Sequence, residues 1–78
     1  MNSINDDKLY SLGLEHYKKN KLDNSYDYLV KIKNKNLNTY KLISNIHIKK
    51  NDFKNAEITL NQILCLDKEN LFALNSLG

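Results

Sequence analysis

The sequence predicts an all-α protein, on three observations. Helix breakers are scarce, with no proline and two glycines in 78 residues. Apolar residues recur three and four positions apart, the spacing of one helix face. A long segment also repeats, as helical hairpins stacked in series would require.

The repeat is read by laying the chain on itself. Glu15-His16-Tyr17-Lys18-Lys19-Asn20 aligns with Ile46-His47-Ile48-Lys49-Lys50-Asn51 at a shift of 51 − 20 = 31. At the same shift Leu22 meets Phe53, Ser25 meets Ala56, Leu29 meets Leu60 and Ile32 meets Ile63. Small and large apolar positions therefore agree in order. A third unit begins with Leu74, Leu77 and Gly78, spaced like Leu9, Leu12 and Gly13 and offset by 78 − 44 = 34 from Tyr40, Ile43 and Ser44.

Each element follows from this frame. Leu9, Leu12 and His16 place a first helix at 5–19, ended by Asn20, and Leu22, Ser25, Leu29 and Ile32 place a second at 22–33. Tyr40, Ile43 and His47 give a third at 37–50, after the asparagine-rich break at 34–38 and before Asn51. Phe53, Ala56, Leu60 and Ile63 give a fourth at 53–66, and the break at 67–70 leads into a fifth at 70–77. Asn and Asp suit these breaks because they cap helices and tolerate left-handed backbone angles.

A helix pair with a period of 34, Leu12-Gly13 in the first helix, Ser25 and Leu29 in the second, and Phe53, Ala56 and Leu60 in the next unit resembles the tetratricopeptide repeat (TPR). The segment from Leu64 to Gly78 resembles that family's junction between repeats. The resemblance implies a right-handed α-solenoid of antiparallel helix pairs, about five helices in one TPR-like domain spanning 1–78. Repeat 1 covers about 5–36, repeat 2 about 37–70 and a partial repeat 3 about 71–78. Asn20 and Asn51 stand where the family has a turn glycine, Lys68 where it has a proline, and Ser44 at a glycine position.

The resemblance also implies a function, namely holding a protein or peptide partner in a concave groove lined by the first helix of each unit. Its matching positions include Tyr10, Leu14, Tyr17, Lys41, Asn45, Ile48 and Lys49. Tyr10 and Tyr17 offer rigid aromatic contact area, weighed evenly against a packing role. Lys41 and Asn45 stand where some members grip a carboxylate, favouring an acidic partner, although a solvated pair one turn apart is the commoner origin of such spacing.

An alternative reading is structural. Leu71, Phe72, Leu74 and Leu77 form an apolar edge fit for homo-oligomerisation or for docking within a larger TPR scaffold.

Composition narrows the remaining classes. Twelve Lys, no Arg and nine acids give a net charge of +3, too dilute along the chain to favour nucleic acid. The pairs Lys18-Lys19 and Lys49-Lys50 suit helix C-termini. His16 and His47 lack the other members of a metal-ligand set and read as packing histidines. Cys65, the single cysteine, reads as an inert packing thiol between Leu64 and Leu66. No phosphate loop, nucleophile elbow or paired catalytic acids are present, so neither an enzyme nor a cofactor is expected. Without a leader-like or membrane-spanning apolar stretch, a cytoplasmic, reducing location is expected.

Overall fold

In the computed structural model, which describes residues 5–77, the protein is all-helical. Five α-helices occur among these residues: α1 Asp6–Lys18, α2 Leu22–Val30, α3 Leu37–Lys49, α4 Phe53–Leu66 and α5 Leu71–Leu77. Their contacts divide the chain between Lys35 and Asn36 into two compact units.

In the first unit, α1 opens on Asn5, whose side chain accepts from the Lys8 backbone N–H at 2.8 Å. Asp6 and Asp7 occupy the positive end of the helix dipole and His16 and Lys18 its negative end. The Asp6 carboxylate accepts from the backbone N–H groups of Lys33 and Asn34, both at 3.1 Å. Because those residues lie just beyond the end of α2, α1 and α2 run antiparallel.

The same carboxylate explains why α2 stops at Val30 rather than at the expected residue 33. Two backbone N–H groups that would extend the helix are turned to Asp6 instead. Lys31 and Ile32 close the helix with N–H bonds to carbonyls three residues back, those of Tyr28 and Leu29, and the Lys35 ammonium donates to the Val30 and Ile32 carbonyls at 3.2 and 2.8 Å.

The α1–α2 interface is close because one of its residues lacks a side chain. Leu29 is fully buried, and a Cβ added at Gly13 would lie 2.7 Å from its Cδ2. The buried Ser25 hydroxyl donates to the Gly13 carbonyl at 2.6 Å.

In the second unit, Asn36 caps α3 by accepting from the Thr39 N–H at 2.9 Å, and Asp52 caps α4 by accepting from Asn55. α3 packs on α4, and α4 on α5. Leu60, Ile63 and Ala73 form a buried cluster, with Leu37, Tyr40, Leu64 and Phe72 packed around it. Ser44, at the position equivalent to Gly13, is fully buried and donates its hydroxyl to the Lys41 carbonyl at 2.8 Å. The polar atom foreign to a glycine position is thereby satisfied within its own helix.

The sequence repeat is reproduced in the hydrogen bonds. The initial asparagines recur at Asn5, Asn36 and Asn70, each accepting from the N–H three residues on. α1 and α3 both end in a Schellman motif: Lys21 N–H bonds to His16 C=O and Asp52 N–H to His47 C=O, each at 2.8 Å. The pivots are Asn20 and Asn51, at φ of 62° and 60°, the left-handed conformation for which asparagine is the best substitute for glycine.

Cys65 departs from expectation, being exposed rather than packed. The buried face of α4 runs through Ala56, Thr59, Leu60 and Ile63. At about 100° per residue, Cys65 points roughly 200° away from Ile63.

Candidate interaction surface

The first helices of the two units present matching half-buried faces. Tyr10, Leu14 and Tyr17 follow one another at i, i+4 and i+7 on α1, and all three are half-buried. A shift of 31 carries them onto Lys41, Asn45 and Ile48 on α3, also half-buried. Side chains at this spacing form one stripe of a helix. In α1 the stripe is aromatic and apolar, whereas in α3 it is mixed. Lys49 lies beside it and is exposed.

Local surroundings differ between the stripes. On α1, Leu14 borders an open depression of about 390 Å3 with Ser11, Glu15, Lys18 and Lys19. Glu15 and Lys19 form an exposed ion pair at 3.6 Å along its side. On α3, the Lys41 ammonium sits 5.9 Å from the centre of the Phe72 ring, a favourable cation–π separation that ties α3 to α5.

Ile48 belongs to a second recess, of about 150 Å3, lined with Phe53, Ala56, Glu57, Leu60 and Ser76. In the sequence Phe53 shares the apolar face of the fourth helix with Leu60. In the structure Phe53 is 62% exposed. A helical period gives the direction in which a side chain points, not whether anything covers it.

The expected C-terminal edge is divided. Leu71 and Leu74 are 72% and 45% exposed, while Phe72 turns inward onto the Leu60–Ile63–Ala73 cluster. The side chain of Leu77, together with Gly78, lies outside the described residues.

The two histidines occupy equivalent positions but different environments. His16 Nδ1 lies 2.8 Å from the Leu12 carbonyl, which only accepts, so Nδ1 carries a proton there. Its ring meets Tyr28 at a centroid distance of 5.1 Å. His47 faces the Asp52 carboxylate at 3.8 Å. Burial nevertheless holds the His47 pKa below its ordinary value, Lys50 adding to the effect and Asp52 opposing it. Asp52 is itself held below the usual carboxylate range, chiefly by the Asn55 side-chain hydrogen bond.

Among the described residues, no group of three or more His, Cys, Asp or Glu side chains is placed to hold a metal ion. No helix among them is long and apolar enough to cross a membrane. Together these features describe an all-α chain of repeated helical hairpins with partly exposed first helices. No protein-family profile, curated protein or solved structure matches the chain with significant similarity.

Proposed function

We propose that this chain is a TPR-like interaction module that holds a peptide or helix of a partner protein against its first helices. The single observation that supports this reading most is that each unit carries a half-buried stripe at equivalent sequence positions, Tyr10-Leu14-Tyr17 and Lys41-Asn45-Ile48. A right-handed solenoid would set such stripes side by side along one groove. Tyr10 and Tyr17 supply aromatic anchors, and Lys41 and Asn45 donate to an acidic group on the partner. Lys49, at the rim, adds long-range attraction for the same kind of ligand.

The test is selection from a displayed library of acidic, neutral and basic peptides, followed by calorimetry on single variants. Tyr17→Ala and Lys41→Glu should each weaken binding of the selected acidic peptides by about tenfold or more, with helicity by circular dichroism retained. Affinity unchanged in both variants would sink the groove assignment.

The exposure of Leu71 and Leu74 favours a second reading, in which α5 is an edge for self-association or for docking onto a larger scaffold. Leu74→Lys should then abolish the association while leaving peptide binding intact.

A further inference from the structure

Phe53 is the first residue of α4 and stands 62% exposed on the rim of the 150 Å3 recess whose floor is the buried pair Ala56 and Leu60. A large ring left this far in water beside a recess with an apolar floor gains by burial there. The recess has the volume of a benzene-sized guest, with apolar walls from Ile48, Ala56 and Leu60 and a polar rim from Glu57 and Ser76.

The charges beside the ring are self-complementary. Lys54 and Glu57 are both exposed, and neither makes an ion pair among the described residues. At about 100° per residue they lie roughly 100° and 40° around α4 from Phe53, on the same side of it. A surface carrying a ring, a recess of matching size and one charge of each sign is what an isologous pair requires, because each copy supplies what the other lacks.

We propose that two copies of this chain associate about a twofold axis beside Phe53, each inserting its ring into the other's recess. The two rings meet near the axis, and Lys54 of each copy faces Glu57 of its partner. Ile48 and Leu60 supply the apolar walls and Ser76 the far rim. The contact is small beside standard protein interfaces, so the pair is a weak dimer that forms at high concentration. It shares Ile48 with the α3 stripe but uses neither Tyr10, Leu14, Tyr17, Lys41 and Asn45 nor the Leu71–Leu74 edge, and the Phe53, Lys54 and Glu57 variants test it separately from both.

The experiment is sedimentation equilibrium of the whole chain from about 10 μM to about 1 mM, where mass action populates a weak dimer. The mass should rise towards twice the monomer and no further. Phe53→Ala should weaken association by about tenfold or more. Lys54→Glu and Glu57→Lys should each weaken it about three- to tenfold, and the double reversal should restore it.

Filtered nuclear Overhauser spectra on a mixture of labelled and unlabelled chains supply a readout independent of the variants, with the Phe53 ring of one copy expected near Ala56 and Leu60 of the other. A monomer at every concentration, a mass growing past the dimer, an unrestored double reversal or the absence of those cross-peaks would overturn the proposal. So would loss of association in Leu74→Lys but not in Phe53→Ala, which would place the interface on α5.

Discussion

The Ser25 hydroxyl donates a 2.6 Å hydrogen bond to the carbonyl oxygen of Gly13, across the α1–α2 interface. The second unit solves the same problem with the polar atom on the other helix: Ser44 replaces Gly13 and Ala56 replaces Ser25. Each hairpin thus pairs one buried serine with one other small residue, and the serine hydroxyl is bonded in both. Small side chains set the helix separation, and the hydroxyl has to be satisfied wherever it falls.

Replacing Gly13 by Ala should destabilise the protein by about 1 kcal/mol, the overpacking against buried Leu29 exceeding the better helix propensity of alanine. Ser25→Ala should cost about 1 kcal/mol through the lost hydrogen bond. Urea midpoints read both. A Gly13→Ala protein more stable than wild type would show that Leu29 can move aside.

At the left-handed pivots, Asn20→Gly and Asn51→Gly should be neutral or mildly stabilising, and the corresponding alanine variants should lose about 1 kcal/mol each. Thermal melts of the four proteins test the Schellman assignment. Equal stability of the Gly and Ala forms would count against it.

Lys21 precedes α2 with φ −92° and ψ 74° and offers no side-chain cap, whereas Asp52 precedes α4 with φ −94° and ψ 72° and caps it. Since the backbone is already in the capping conformation, Lys21→Asp should stabilise the first unit by about 1 kcal/mol. Denaturant unfolding measures the gain, which should shrink as pH falls below the carboxylate range.

Hydrogen bonds from the backbone of Asn34 and then Lys33 hold the Asp6 carboxyl below its ordinary pKa. A carboxylate depressed in the folded state contributes stability above its unfolded pKa, about 4, and loses it as pH falls through the lower folded value. Asp6→Asn, which leaves only one acceptor for two donors, should therefore be less stable than wild type at neutral pH. The gap should close on acidification below pH ~4. A gap independent of pH would mean the carboxylate charge is irrelevant to the loop.

The lowered His47 pKa acts in a higher window with the same sign. Below the ordinary value near 6.5, the unfolded chain takes up the proton first, so stability falls as pH drops through that region. An imidazole titration by nuclear magnetic resonance should place His47 beneath 6.5. A midpoint above it would mean that attraction to Asp52 outweighs burial.

Much of the helical framework was legible in the chain itself. Apolar spacing located all five helices, and α4 spans 53–66 as expected. The asparagine breaks foretold the left-handed turns, because few other residues accept that conformation. These are local matters, settled by period, propensity and backbone sterics within a few residues. The early end of α2 was not legible, since it depends on a carboxylate 27 and 28 residues away in sequence from the N–H groups it binds. Nor was the exposure of Phe53 and Cys65, or the inward turn of Phe72. A sequence period fixes the direction of a side chain around its helix, and only tertiary packing decides which directions are covered.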